Sequence, residues 1–109
     1  MEPSGPARIV LAGVVPPGDG GAIRVVADGT PVAVFNRGGT LYAVGARCPH
    51  VGGPLDQGTV TGHRVRCPWH GSVFDLETGA VVKGLAETPV PAYRVRVEGD
   101  GLVLEPRTS

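Results

Sequence analysis

The sequence has no excess of either charge: Lys plus Arg and Asp plus Glu each number ten among 109 residues. A neutral chain lacks the phosphate attraction on which nucleic-acid binders rely, so no nucleic-acid partner is expected. It has no apolar run near the roughly 18–20 residues needed to span a bilayer, so no transmembrane helix and no membrane partner are expected. Its first residues, Met1-Glu2-Pro3-Ser4-Gly5-Pro6, lack the basic and apolar regions of a secretory signal, and the expected compartment is the cytoplasm. Cysteines number only two, Cys48 and Cys67, so at most one disulfide could form. In a small cytoplasmic protein such a lone pair points to metal or redox chemistry more than to stapling. Aromatics are scarce at 5%, and no stretch keeps a 3.6-residue apolar period for ten residues, so no long helix is expected.

What the chain does have is 18 glycines, 11 prolines and 18 valines, a composition for short strands and tight turns. The expected fold is all-β, in one domain spanning 1–109. Strands are read at Ile9–Val15, Ala22–Ala27, Thr30–Asn36 and Thr40–Ala46, with Asp28-Gly29 as a hairpin turn. Further strands are read at Gln57–Thr61, Arg64–Arg66, Val73–Leu76 and Ala80–Val82. The clearest hairpin is the last, where Tyr93, Val95 and Val97 alternate with Arg94, Arg96 and Glu98 before Gly99-Asp100-Gly101 turns into Leu102–Glu105.

Two Gly- and Pro-rich segments, Arg47–Asp56 and Cys67–Ser72, interrupt these strands, and each carries one Cys and one His. Cys48-Pro49-His50 and Cys67-Pro68-Trp69-His70 are separated by sixteen residues. Each segment thus offers a soft thiolate and a borderline imidazole, and the intervening prolines stiffen it. Buried residues without metal, a Cys–His nucleophile pair and a two-Cys, two-His zinc site all compete as readings. Zinc fingers usually pair like ligands within a loop, a nucleophile needs only one of the loops, and covalent haem attachment would need C-x-x-C-H. An iron–sulfur cluster of mixed ligation accounts for all four residues at once.

Cys48-x-His50 and Cys67-x-x-His70 resemble the ligand pattern of the Rieske-type [2Fe–2S] family. The strings CPHVGGPL (Cys48–Leu55) and CPWHGSVFDLETG (Cys67–Gly79) are similar to its two cluster loops. Glu87-Thr88-Pro89-Val90-Pro91-Ala92-Tyr93 is similar to its proline-containing loop beside the cluster, and the likeness covers about residues 40–105. The resemblance implies stacked antiparallel sheets with a small cluster-binding subdomain inserted at about 46–73. It implies one [2Fe–2S] cluster, with Cys48 and Cys67 on the inner iron and His50 and His70 on the outer. Two ferric ions, two sulfides and two thiolates sum to no net charge, so an added electron enters a neutral centre, which raises the potential above that of all-cysteine ferredoxins.

Two departures from the high-potential branch stand out. The positions that carry its loop-to-loop disulfide are Gly53 and Trp69 here, and Phe74 stands where a hydrogen-bonding Tyr is found, while Ser72 keeps the Ser. The chain therefore resembles a soluble, lower-potential ferredoxin of ring-hydroxylating oxygenase systems. That implies a one-electron carrier, not an enzyme, passing electrons from a reductase to an oxygenase or similar terminal enzyme. The Rieske-type small subunit of a larger oxidoreductase such as nitrite reductase, and a zinc-stabilised binding module without redox role, are the alternatives.

Other residues have plainer expected roles. His63, Asp56, Asp75 and Glu77 read as turn and surface residues, and no carboxylate pairs visibly with a nucleophile. Trp69 reads equally as packing, as a shield or as a flat partner contact, and Gly52-Gly53 as turn chemistry or as a close backbone approach to sulfide. The expected exposed tip, His50–Pro54 with Pro68–His70, carries no carboxylate, Lys or Arg, which predicts a small, mainly apolar partner contact.

Overall fold

Valine-rich segments fit the pleated, half-buried surface of a strand, and ten strands form in the computed structural model, which describes residues 9–27, 29–47, 53–69, 71–84 and 89–106. They are β1 (Ile9–Leu11), β2 (Ala22–Ala27), β3 (Thr30–Arg37), β4 (Thr40–Gly45), β5 (Thr59–Thr61), β6 (Arg64–Arg66), β7 (Val73–Asp75), β8 (Val81–Lys83), β9 (Ala92–Glu98) and β10 (Gly101–Pro106). A six-stranded antiparallel sheet has the order β1-β10-β9-β4-β3-β2, and a four-stranded one the order β5-β6-β7-β8. The chain leaves the first sheet after Gly45 and rejoins it at Ala92. The segment expected to hold a cluster, about 46–73, lies within that excursion.

Turn chemistry sets the register of the first sheet. Ala27 pairs with Thr30, and Gly29 between them has φ +80°, a conformation open to glycine at little cost; Asp28 lies outside the described residues. Glu98 pairs with Gly101 around a turn whose Gly99 has φ +61°.

The two faces of the first sheet feed two separate cores. On one face Val32 and Val34 of β3 pack with Ala43, Tyr93, Leu102 and Leu104. On the other, Ala33 and Phe35 pack with Val44 of β4 and with Val65 and Phe74 from the second sheet. This explains why β3 reads as a near-continuous apolar run: it is buried on both sides.

Most strand ends fall within a residue of the sequence reading, but two boundaries and one exposure differ further. The first strand ends at Leu11, not Val15, because β10 offers no partner beyond Leu102. Gly101 allows that end, since a Cβ there would collide with the Leu11 carbonyl oxygen. Leu55–Gln57 forms a 3-10 turn, so β5 begins only at Thr59. Val97 is 56% exposed despite its place in the apolar alternation. The reason is that β9 pairs with β4 only at Tyr93 and Ala92, leaving its far half uncovered on that side.

Two carboxylates expected at the surface are largely enclosed. Asp56 is 14% exposed and lies 3.7 Å from Arg24 Nη1, and its buried Oδ1 has no hydrogen-bond partner among the described residues. Asp75 is 17% exposed, accepts the Glu77 and Thr78 N–H groups at 2.8 and 3.0 Å, and sits 3.3 Å from His63 Nδ1. Burial alone would raise its pKa, but the Thr78 and Glu77 amides and His63 more than offset that and hold it below the ordinary value. His63 is exposed as expected, yet it is tied in: its carbonyl accepts the Leu76 N–H at 2.7 Å.

Candidate metal centre

Both loops flagged in the sequence have closed necks. Arg47 and Pro54 form an isolated antiparallel bridge, and Leu55 N–H donates to Ala46 O at 2.8 Å, so the two ends of the first loop are held together. The second loop is tighter. Cys67 N–H donates to Ser72 O at 2.7 Å, and Gly71 N–H donates to Cys67 O at 3.0 Å. Gly71 takes φ +77°, which a side chain at that position would resist.

Cys67 is a free thiol at 1% exposure, packed in one buried cluster with Ala46, Leu55, Val65, Phe74 and Val90. Cys48, His50 and His70 lie outside the described residues, as do Pro49, Val51 and Gly52. Among the described residues, accordingly, no three metal-binding side chains gather. What the structure does place is the far end of the first loop. Gly53 is buried, and a Cβ there would stand 2.6 Å from Cys67 Sγ and 3.3 Å from the Trp69 ring. The two loops therefore meet at Cys67, and the space beside its sulfur is kept by the absence of a side chain.

Gly53 and Trp69, the positions that read as a missing disulfide, are indeed neighbours, joined by packing instead of by a bond. Trp69 rests part of its ring on Gly53 but remains 59% exposed, as Pro68 is also exposed. The expected exposed tip is thus narrower than the sequence reading drew it, because Gly53 is buried and Pro54 half-buried. The proline-containing segment packs as expected where it is described. Val90 is 4% exposed, shares the Cys67 cluster and donates its N–H to Gly79 O at 2.9 Å, while Pro91 O accepts the Gly45 N–H at 2.8 Å. Ser72 and Phe74 are fully buried, and Gly84, at φ +106°, lets the end of β8 close over Ser72.

One residue the sequence reading passed over belongs to this site. A Cβ on Gly71 would be 3.1 Å from both Nε and Nη2 of Arg66, so that guanidinium folds over the second loop. The signal was present in the β6 alternation, which turns Val65 inward and Arg66 outward immediately before Cys67.

The donor set fits an iron–sulfur centre: a buried cysteine sulfur, a soft donor, is approached closely by the backbone of the other loop at Gly53, and its partners in sequence are one further thiol and two imidazoles. Comparisons with known proteins agree. A family model described as the Rieske [2Fe–2S] domain matches residues 8–94. Apoptosis-inducing factor 3 of Mus musculus is 33% identical over 73 residues, 67% of this chain but only 12% of that protein, so the chain spans about an eighth of that relative's length. The 3-phenylpropionate/cinnamic acid dioxygenase ferredoxin subunit of Escherichia coli (strain K12) is 35% identical over 100 residues, 90% of this chain and 92% of that one. Among solved structures, the ferredoxin of carbazole 1,9a-dioxygenase from Nocardioides aromaticivorans IC177 is 30% identical with a TM-score of 0.74, covering 95% of this chain and 100% of that one. A chain in a complex of reduced oxygenase and oxidized ferredoxin in carbazole 1,9a-dioxygenase is 27% identical with a TM-score of 0.76, covering 93% and 95%.

Proposed function

The chain belongs to the Rieske [2Fe–2S] family, and from that premise we propose that Cys48, His50, Cys67 and His70 hold one [2Fe–2S] cluster in a chain that carries single electrons and catalyses nothing itself. The cysteines would hold one iron and the histidines the other. When bound, the cluster supplies a site that gains and loses one electron near neutral charge. The observation that carries this reading is the meeting of the two loops at Cys67, where Gly53, having no side chain, brings the first loop's backbone close to the sulfur.

The chain's own residues do the rest. The core around Leu55, Phe74 and Val90 keeps water from the Cys67 sulfur. The neck hydrogen bonds at Leu55 and Cys67 hold both loops in place as charge changes. Trp69 presents an apolar surface beside the exposed end of the site. Electrons pass to the oxygenase of a ring-hydroxylating system and arrive from a reductase, in the cytoplasm. Residues 1–109 act as one Rieske domain, with about 46–73 as its cluster-binding part. Among the described residues no helix is long and apolar enough to cross a membrane.

Purified protein is expected to be brown, to take up one electron per chain from dithionite, and then to give a rhombic electron paramagnetic resonance signal. A colourless, silent, zinc-containing protein would overturn the reading. The potential supplies a second check. Hydrogen bonds to sulfur stabilise the reduced state, and Phe74 can donate none, so the midpoint is expected near the lower end of the Rieske range, about −150 mV. Phe74→Tyr is expected to raise it. A wild-type midpoint above zero contradicts the assignment, and an unchanged value in the variant shows that position 74 does not address the cluster.

A further inference from the structure

The outward face of the second sheet carries three cations with no carboxylate partner among the described residues. Strand register aligns Thr59, Arg66, Val73 and Lys83 in one cross-strand row at the end of the sheet that bears the second loop. Thr61, Arg64 and Asp75 form the next row. Arg64, Arg66 and Lys83 are exposed, and none has a carboxylate partner among the described residues, unlike Arg24 and Arg96. Asp75, the one acid in these two rows, is engaged by His63 and by the Glu77 and Thr78 amides. Thr59, Thr61, Arg64, Arg66 and Val73 line a shallow groove on this face. Its positive charge reaches the site itself, because the Arg66 guanidinium folds over Gly71 within the second loop.

On the first sheet Arg24 and Arg96 are paired. Glu98, Asp100 and Glu105 belong to the β9–β10 hairpin, where Glu98 and Asp100 stand at the end remote from the β4 pairing, and Arg96 pairs with Glu98 and Glu105. The cations of β6 and β8 are thus left without acidic partners among the described residues, whereas Arg96 of β9 is paired, and Arg66 places one of these unpaired charges next to the second loop.

We propose that the outward face of β5–β8, centred on Arg66 and Lys83, is the approach surface for the redox partner, and that the partner's docking rim carries carboxylates. This rests on the electron-carrier reading. Opposite surface charges guide two proteins together and can raise association rates by roughly tenfold or more, and salt screens the effect beyond about 8 Å at physiological ionic strength. Trp69 and Pro68 then make the short-range apolar contact, while the cations set approach and orientation.

The test uses reduced holoprotein and two small oxidants of opposite charge, hexacyanoferrate(III) and hexaammineruthenium(III), each of which takes one electron from the chain and is itself reduced by one. With wild-type protein, raising the ionic strength is expected to slow the anion's reaction by roughly tenfold and to speed that of the cation. Arg66→Glu with Lys83→Glu is expected to reverse both trends, and Arg66→Gln with Lys83→Gln to flatten them. Arg94→Glu with Arg96→Glu changes net charge equally on the other sheet and is expected to leave both trends in place. Flat trends in the wild type, or equal shifts in the two double reversals, would overturn the proposal. If the carrier reading itself is wrong, the outcome differs: no electron is available to either oxidant.

Discussion

Cys67→Ser is expected to give a colourless chain that melts far below the wild type. Serine offers a hard, neutral hydroxyl where a soft thiolate is needed, so the cluster is not retained. Two costs follow. A link between the first and second loops closes about twenty residues, and a cross-link of that span is worth about 3 kcal/mol through the entropy it removes from the unfolded chain. The new hydroxyl also stands at a position only 1% exposed, among apolar neighbours, and leaving it without a partner costs about 1–3 kcal/mol. At about 4–8 °C per kcal/mol for a domain of this size, the melting temperature is expected to fall by roughly 20 °C. Hydrogen exchange is expected to quicken at Leu55, Cys67 and Gly71, whose amides close the two necks. Wild-type protein stripped of iron keeps the apolar thiol and is expected to melt roughly 10 °C above the variant. A cluster-free variant with full thermal stability would show that the loops close without metal.

Gly53→Ala is expected to lower the iron content of the site without touching a ligand. The added Cβ would lie 2.6 Å from Cys67 Sγ and 3.3 Å from the Trp69 ring. The sulfur cannot yield, because its residue is packed in the core and held by the Cys67–Ser72 backbone bond. The loops must part instead. Iron per chain is expected to fall by roughly half in Gly53→Ala and almost completely in Gly53→Val, since overpacking costs about 1–3 kcal/mol and rises with size. Gly62→Ala serves as the contrast. Gly62 differs on both counts: its backbone is constrained, with φ +61°, but nothing lies within 4 Å of its Cβ position. That variant is expected to lose only about 1 kcal/mol of stability and to keep its full iron content. Full occupancy with an unaltered absorption spectrum in Gly53→Val would remove Gly53 from the site.

The parts of the fold legible in the sequence are those governed by neighbours along the chain. Gly29 and Gly99 sit in two-residue turns, and such turns determine which residues pair, so β2–β3 and β9–β10 fall where alternation and turn residues place them. Boundaries fared worse. The end of β1 depends on the backbone approach of Leu11 to Gly101, about ninety positions away, and the uncovered half of β9 depends on where β4 stops. The cover over Asp56 and Asp75 is invisible along the chain for a similar reason. A carboxylate next to a turn looks solvated until the strand or side chain that covers it is known, here Arg24 for one and His63 for the other.

By itself the sequence supplied the candidate donors: two thiols and two imidazoles, one of each per Gly- and Pro-rich loop, a set that mixed iron–sulfur ligation would use in full. Donor identity and spacing along the chain are covalent facts, and they survive any arrangement of strands. The tertiary structure alone decided what surrounds that chemistry. It set Gly53 against the Cys67 sulfur, left Trp69 exposed, and laid the Arg66 guanidinium over Gly71. Gly53 and Cys67 share no local signal, because their contact arises only when the 3-10 turn and β5–β6 fold the second loop back onto the first. Which side of a strand faces outward depends on register, and a shift of one residue would have buried Arg66 and exposed Val65.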